Sequence, residues 1–419
     1  MNVKAAIRAA WKKLAPKPFD PKSPLVKLHE ATYDADEINA VVDCLLNIEV
    51  TMGPRVRRFE DEFCRKYGHK NAVMCNSGSS ANLLAIAAMA NPVTKDRLKP
   101  GDEVIVPALC WSTTVWPLIQ MQLVPVIVDV DLETLNLDLN EVERAITPKT
   151  KALMIVPIYG NPCDMDAVAA LCRRRGLQLI EDSCESLGAT YKGRHVGSFG
   201  RVGQFSFYYS HHITTLEGGM VVTDDDGLAE TLRVLRAHGW VREMRNPTPH
   251  VDAHPDIDPK FLFVNLGYNL RATEPQGAMG SLQLKKLDRC IRIRRDNAAY
   301  FRKALAAHDA FFGHVAEQKN GKSSWFGYPM RVKKGAPFKQ RDVVAFLRSR
   351  GLEMRPLNAG NIAGQPAMKL YEHRVAGALP RANEVWKSGF TFGNHQHVSK
   401  AAREYIVQQV NAFVGKQHG

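Results

Sequence analysis

Short apolar runs alternate with amphipathic helical stretches over the first half of the chain, from about Tyr33 to Met220. Segments 79–90 and 164–176 have the helical pattern. Alternation of this kind is typical of a mostly parallel sheet covered by helices. The pattern predicts strands in NAVMCNS, DEVIVPALCW, VPVIVDV, KALMIVPIYG and LQLIEDSC.

The second half of the chain predicts a smaller α+β region. Residues 242–260, rich in Pro, Asp and His, are predicted as a loop, and a long helical pattern, EPQGAMGSLQLKKLDRCIRIRRDNAAYFRKALAAH, follows. Short strands are predicted in WFGYPMRV and LEMRPL, with helices in QRDVVAFLRSRG and AAREYIVQQVNAFV. A length of 419 residues also favours two domains. The predicted divisions are a basic N-terminal extension (1–24), a large domain (25–280) and a small C-terminal domain (281–419).

Composition favours a soluble cytoplasmic protein. The apolar share of 45% is ordinary, and no apolar run approaches the roughly 18–20 residues of a membrane span. The N-terminus predicts a solvated tail or a short basic amphipathic helix rather than a secretory signal. Eight cysteines without a C-x-x-C pair predict no zinc site, no disulfide framework and a reducing compartment. The net charge of +13 fits a nucleic-acid surface, a phosphorylated small substrate or a plain soluble surface.

Three stretches combine polar residues with the ends of predicted strands. In NSGSSANLL, small residues precede a helix, which suits either an anion site or an ordinary serine cap. Asp182 and Glu185 follow an apolar strand, where carboxylates either enter a ligand crevice or cap a helix. Trp111 also follows a strand and can stack on a planar ring or pack in a core or subunit interface.

The fourth stretch, FSFYYSHHITTLEGGMVV at 205–222, predicts a buried strand, a Gly-rich turn and a second strand. His211 and His212 lie on the turn, shortly after Ser206. Residues 193–259 contain no lysine, although the chain as a whole is basic. Two histidines on a turn suit a metal site, a catalytic base or a structural role.

Taken in chain order, the four stretches are a phosphate-binding turn, a stacking aromatic, a strand-end Asp and a reactive residue on a turn. This order resembles the pyridoxal-phosphate site of the aspartate-aminotransferase-type fold. From about residue 25 to the C-terminus, the chain resembles the sugar aminotransferase family of that fold, which acts on nucleotide-linked keto sugars. The motifs that carry the resemblance are TMGPRVRRFE, NSGSSANLL, GDEVIVPALCWSTT, GNPCDMD, IEDSCESLGA, FSFYYSHH, EGGMVVTDD, RAHGW and LGYNLR.

Family members carry a cofactor-binding lysine on the turn after the FSFY-like strand, and His211 stands at that position here. This departure is similar to the sugar 3-dehydratases of the family. The resemblance implies removal of the C3 hydroxyl from a nucleotide-linked 4-keto-6-deoxyhexose, with GDP and the mannose configuration resting on the resemblance alone. Pyridoxamine phosphate would be the working cofactor, regenerated by L-glutamate, and the product would be a 3,6-dideoxy sugar for O-antigen and lipopolysaccharide biosynthesis.

The resemblance also implies roles for individual residues. His211 would be the catalytic base, Asp182 would pair with the ring nitrogen, and Asn269 would reach the phosphate of the other subunit in a homodimer with shared active sites. His212 would be structural or orienting. No metal, nucleic acid or membrane partner is implied. The implied cofactor-binding residues are Gly78, Ser79, Ser80, Trp111, Asp182, Glu185, Ser206 and Asn269.

Four alternatives differ in chemistry or in substrate. Related dehydratases for CDP-linked sugars use an iron–sulfur cluster, which needs several nearby cysteines, but only Cys290 follows Cys184. An ordinary sugar aminotransferase would need the missing lysine. A dehydratase for another nucleotide sugar differs only in its substrate. A regulator that binds a nucleotide sugar leaves Asp182 and the histidine unexplained.

Overall fold

The computed structural model describes residues 2–417. These residues form helices that cover two main sheets. The strands are β1 (Asn71–Cys75), β2 (Glu103–Pro107), β3 (Val124–Val128), β4 (Thr150–Ile155), β5 (Gln178–Asp182), β6 (Thr190–Tyr191), β7 (Arg194–His195), β8 (Val202–Ser206), β9 (Gly219–Thr223), β10 (Phe312–His314), β11 (Gly321–Lys322), β12 (Tyr328–Val332), β13 (Met354–Arg355), β14 (Arg374–Val375) and β15 (Gly389–Phe392). The helices are α1 (Val3–Leu14), α2 (Ala35–Leu46), α3 (Pro54–Tyr67), α4 (Gly78–Ala90), α5 (Ser112–Gln120), α6 (Leu139–Ala145), α7 (Met165–Arg175), α8 (Asp226–Arg236), α9 (Thr248–Asp252), α10 (Glu274–Ala304), α11 (Gln340–Ser349), α12 (Pro380–Ser388) and α13 (Lys400–Gly415).

The large sheet has the strand order β1-β9-β8-β5-β4-β2-β3-β14. Only β9 runs antiparallel to its two neighbours, β1 and β8, and the other seven strands of the sheet are parallel. The carboxyl ends of the parallel strands therefore share one edge with the start of β9. That edge is where open α/β sheets bind ligands.

Both faces of the large sheet are covered, which explains why its strands are continuous apolar runs rather than alternating ones. Successive side chains of a strand point to opposite faces. On β1, Val73 joins the cluster that includes Leu84 of α4, whereas Met74 joins the cluster that includes Phe59 and Phe63 of α3. All five are fully buried. Burial of each of these larger apolar side chains stabilises the fold by roughly 1.5–3 kcal/mol.

The second sheet, β10-β12-β15-β13, is antiparallel and has a hydrophobic cluster of its own. Phe301, near the end of α10, belongs to this cluster. The start of α10 packs closely on α3. There is no room for a side chain at Gly280, since a Cβ atom there would lie 2.5 Å from the ring of Phe59. One helix thus connects both parts, and the predicted boundary between residues 280 and 281 falls inside it. The division into domains stays a prediction.

The strands and helices predicted from the apolar runs are confirmed, with shorter ends in several places. The loop prediction for residues 242–260 is wrong in part, because α9 and a 3-10 turn at Pro259–Phe261 lie there. In the N-terminal extension, α1 packs through Trp11 on Tyr33, with ring centroids 5.7 Å apart. Within residues 2–417, no helix is both long and apolar enough to cross a bilayer.

Candidate active site

A cavity of about 320 Å³ lies at the edge where the parallel strands of the large sheet end. Its walls come from the carboxyl ends of β1, β2, β4, β5 and β8 with the segments that follow them, and from Phe326 before β12, Arg355 in β13 and Asn358 after it. Seven of the nine site residues predicted from the sequence line it: Gly78, Ser79, Trp111, Asp182, Glu185, Ser206 and His211. Ser80 and Asn269 are not among the lining residues.

The start of α4 forms one wall of the cavity. The Ser77 side chain caps the helix by accepting a hydrogen bond from the Ser80 backbone N–H at 3.0 Å. Its hydroxyl also donates to the Ser80 hydroxyl at 2.9 Å. The Ser80 hydroxyl thus accepts a hydrogen bond within the cap and keeps its own proton to donate, and the prediction that Ser80 binds the cofactor stays a prediction. The first N–H groups of a helix have no intrahelical acceptor, so Gly78 and Ser79 present an anion-binding end to the cavity.

Asp182 ends β5 beneath the cavity and is 4% exposed. Its Oδ2 accepts hydrogen bonds from Asn82 Nδ2 at 2.9 Å and from the Thr114 hydroxyl at 2.7 Å. Its Oδ1 accepts a longer bond, 3.3 Å, from the Cys184 N–H. The carboxylate is thus fixed in position by α4 and α5, and it lines the cavity.

Glu185 and Glu181 have opposite surroundings. Glu185 lines the cavity, accepts a hydrogen bond from the Tyr159 N–H at 3.0 Å, and has its pKa raised by burial, against the opposing charge of Arg355. Glu181 points away into the loop before β8, where the N–H groups of residues 197, 199 and 200 donate to it at 2.5–2.7 Å. Burial raises the pKa of Glu181 to about 7. Glu181 therefore holds a loop, and Glu185 belongs to the site.

His211 lies on the cavity wall with part of its ring exposed. Its Nδ1 is buried without a hydrogen-bond partner, and its ring packs 5.0 Å from the ring of Phe326. Burial, followed by the charges of Arg355 and Arg294, lowers the pKa of His211 to about 3. The imidazole is therefore neutral at neutral pH, the form that can accept a proton.

His212 is fully buried and faces away from the cavity lining. Its Nε2 lies 3.2 Å from the Ser324 carbonyl oxygen, and burial lowers its pKa well below the ordinary value. This environment fits the structural role predicted as one of two alternatives. Trp111, by contrast, is 55% exposed at the N-terminus of α5 and lines the cavity.

Asn269 lies on the surface, and its Oδ1 accepts a hydrogen bond from Arg271 Nε at 3.0 Å. It does not reach the cavity of its own chain. The predicted contact from a second subunit therefore remains a prediction.

Sequence reasoning missed several residues of the site. Arg355, Asn358 and Phe326 line the cavity from the second half of the chain. The Nε atom of Arg355 is buried without a partner, as is Nδ2 of Asn358. Asn82 and Thr114 lie within recognised motifs. Asn82 follows Ser79, and Thr114 follows Trp111, at a spacing that places both residues of a pair on one side of a helix, and this spacing could have identified them. Arg355 ends the two-residue strand β13, inside the predicted strand LEMRPL, but in none of the motifs that carry the family resemblance.

These residues fit a pyridoxal-phosphate-type cofactor. The start of α4 and Ser206 approach too closely for a side chain at position 78, which leaves exposed backbone donors for a phosphate. A buried carboxylate, Asp182, suits a protonated ring nitrogen, and the exposed indole of Trp111 suits a ring face. Within residues 2–417, no lysine lines the cavity.

Comparison with known proteins identifies relatives over most of the chain. The DegT/DnrJ/EryC1/StrS aminotransferase family matches residues 31–411. GDP-4-keto-6-deoxy-D-mannose 3-dehydratase of Yersinia pseudotuberculosis is 41% identical over 373 residues, which cover 88% of this chain and 94% of that protein.

Solved structures give the same result. A crystal structure of GDP-4-keto-6-deoxymannose-3-dehydratase with a trapped PLP–glutamate geminal diamine has a TM-score of 0.85 and 38% identity, covering 92% of this chain and 99% of that one. A histidine-to-asparagine variant of that enzyme with bound GDP-perosamine has a TM-score of 0.87 and 39% identity, covering 92% of this chain and 100% of that one. The predicted aspartate-aminotransferase-type fold is confirmed.

Proposed function

Because the chain belongs to the DegT/DnrJ/EryC1/StrS aminotransferase family, we propose that it is a pyridoxamine-phosphate-dependent 3-dehydratase of a nucleotide-linked 4-keto-6-deoxyhexose. The family predicted from the sequence motifs is confirmed. The substrate is GDP-4-keto-6-deoxy-D-mannose, L-glutamate is the second substrate, and the product serves 3,6-dideoxy sugar and O-antigen lipopolysaccharide biosynthesis. The overall reaction yields the 3-deoxy-4-keto sugar, 2-oxoglutarate and ammonia.

The observation that carries this proposal is the neutral imidazole of His211 on the cavity wall, at the position where the resemblance expects lysine. A lysine would capture an aldehyde cofactor covalently and return protons toward amine transfer. Neutral imidazole accepts a proton at neutral pH without forming a stable imine. The residue type at 211 therefore favours dehydration over amine transfer.

The cofactor, when bound, supplies the amine that condenses with the C4 ketone and a ring that accepts the electrons of the departing proton. Asp182 would hold the proton of the ring nitrogen, and its hydrogen bonds from Asn82 and Thr114 keep the carboxylate oriented for that. Trp111 would cover one ring face. Ser79, Ser206 and the N–H of Gly78 would bind the phosphate.

His211 would move the proton at the cofactor's C4′ carbon from its position on the cavity wall. Arg355 supplies the fixed positive charge of the cavity wall, beside His211 and Glu185. Its unpaired Nε suits an anionic group such as a carboxylate of L-glutamate. Glu185, with its pKa raised, would lie near the ring's phenolic oxygen and tune it.

The working unit is a cytoplasmic homodimer with shared active sites. Support comes from the exposed position of Asn269, outside the cavity of its own chain, and from eight cysteines that are all free thiols. Light scattering of the purified protein measures whether it is a dimer. A monomer that retains full activity would contradict the shared active site.

A product screen tests the proposed function. The purified protein is offered GDP-, CDP-, UDP- and dTDP-linked 4-keto-6-deoxy sugars with pyridoxal phosphate and L-glutamate, and products are read by mass spectrometry. We expect loss of one oxygen atom from the GDP-linked sugar without added iron or reductase. Strict dependence on iron and an electron donor would indicate the cluster-dependent type, and absence of any spectral change with glutamate would indicate a binding protein without this chemistry.

A further inference from the structure

Residues 26–32, here called the strap, cross from the small sheet to the turn that carries His211. At one end, the Val26 N–H donates to the Gly351 carbonyl at 2.8 Å, and the Leu28 N–H donates to Glu353 Oε2 at 2.9 Å. Nε2 of Gln396 donates to the Glu30 carbonyl at 3.0 Å. These contacts fix the strap to the small sheet and its neighbouring loop.

On its other side the strap contacts the turn through His29. The half-buried His29 ring is hydrogen-bonded through Nε2 to the Tyr209 hydroxyl, and the two rings meet edge to face with centroids 4.8 Å apart. Tyr209 is two residues from His211. His29 also lines a small cavity of about 20 Å³, which shares Ser210, Phe326 and Arg355 with the main one.

A second link between the strap and the turn runs through Gln283. The Thr32 hydroxyl and the Thr214 N–H both donate to Oε1 of Gln283, a fully buried side chain on α10. The strap therefore contacts Tyr209 directly and is connected to Thr214 through Gln283, so it is linked to the turn on both sides of His211. The His211 ring itself has an unpaired Nδ1, so its position depends on the backbone of the turn and on packing with Phe326.

We propose that His29 is a positioning residue for proton transfer at His211, acting by fastening the hydroxyl of Tyr209 to the strap. This inference rests on the proposed role of His211. A general base acts over about 2.6–3.2 Å, and misplacement by about 1 Å can cost about a hundredfold in rate. Tyr209 is 37% exposed and its ring contacts those of His29 and Tyr208, so the His29 hydrogen bond is a restraint that connects this part of the turn to the strap.

The test combines kinetics with amide exchange of the cofactor-free protein. His29→Phe and Tyr209→Phe each remove the hydrogen bond and keep a ring. We expect each to lower kcat about three- to tenfold, the effect of one hydrogen bond, with the KM of the sugar unchanged. The double variant should be no slower than either single variant, and His29→Gln should recover part of kcat. Deuterium exchange of amides 208–214 should accelerate in both single variants.

His397→Phe is the matched control. Nε2 of His397 contacts the Ala31 carbonyl of the same strap at 3.3 Å, away from the turn. This variant should keep the parent kcat and the parent exchange of the turn.

Unchanged amide exchange of the turn in His29→Phe would show that His29 does not hold Tyr209 to the strap. Faster exchange in this variant together with the kcat of the parent would overturn the positioning role. Multiplying losses in the double variant would also overturn it, because the two residues would then act independently. Failure of the proposed function has a different signature: the parent protein would give no dehydrated sugar in the product screen. If His211 were not the base, His211→Asn would retain dehydration while the exchange result at the turn stands.

Discussion

Gly78 and Ser206 approach so closely that a Cβ atom on Gly78 would lie 2.4 Å from the Cβ of Ser206. The contact joins the first residue of α4 to the last residue of β8, at the wall of the main cavity. Real Cβ atoms do not come this close, so any side chain at position 78 must push the helix away from the strand. The start of α4 and Ser206 form the proposed phosphate cradle, which therefore depends on the absence of a side chain at position 78.

Gly78→Ala should weaken binding of pyridoxal phosphate at least about tenfold, because the displaced helix end no longer aims its N–H groups at the phosphate. Absorbance titration measures the affinity. Gly227→Ala is the matched control, since it lies in the first turn of α8 and its Cβ would meet only Asp225 Oδ1 at 3.5 Å. Equal cofactor affinity in both variants would contradict the cradle.

Asp182→Asn should bind the cofactor poorly and lose turnover by about a hundredfold or more, because an amide cannot stabilise the ring-nitrogen proton by charge. Steady-state kinetics and cofactor titration measure both effects. Glu185→Gln removes a neighbouring carboxylate of the same cavity and should have the smaller effect. A near-normal Asp182→Asn enzyme would mean that another group pairs with the ring nitrogen.

Two buried histidines should make stability fall with acid. Burial lowers the pKa of His395 to about 3 and lowers the pKa of His212 well below the ordinary 6.5. The unfolded chain binds these protons below 6.5 while the folded chain does not. The stabilisation is therefore complete above pH 6.5 and is lost as the pH falls toward the folded pKa, by up to about 1.4 kcal/mol per pH unit for each histidine.

Urea unfolding at a series of pH values between about 7 and 5 measures this loss. His395→Asn should flatten the dependence relative to the parent, whereas the exposed His254→Asn should leave it unchanged. A parent whose unfolding midpoint is independent of pH over this range would contradict the assignment.

The order of the chemistry along the chain could be predicted because each part directly follows an apolar strand. Asp182 ends β5, Ser206 ends β8, and Trp111 follows β2, so the parallel arrangement brings them to one edge. Local pattern was sufficient for these residues, since a strand followed by a polar turn is a short-range signal.

The remainder of the site depends on tertiary packing. Arg355 reaches the cavity only because the small sheet packs beside the large one, and no short-range pattern specifies that arrangement. Ser80 lies in a recognised motif but not in the cavity lining, its hydroxyl accepts a hydrogen bond from Ser77, and its predicted cofactor role stays a prediction. The boundary at residue 280 could not be located because α10 runs through both hydrophobic clusters.

His211→Lys should convert the site to one that holds the cofactor covalently. The lysine would capture the aldehyde form, and dehydration should fall by about two orders of magnitude or more. Borohydride reduction followed by peptide mapping should give a pyridoxyl adduct at position 211 in the variant and none in the parent. An adduct in the parent on a different lysine, or unchanged dehydration in the variant, would exclude His211 as the base.

The fate of the glutamate nitrogen tests the central claim most directly. The protein, cofactor and GDP-4-keto-6-deoxy-D-mannose are incubated with heavy-nitrogen-labelled L-glutamate, and both the sugar and the released ammonia are analysed by mass spectrometry. A 3-dehydratase leaves the label in ammonia and removes one oxygen from the sugar, in proportion to the 2-oxoglutarate formed. Label retained in an amino sugar, with the C3 oxygen still present, would identify an aminotransferase and contradict the account.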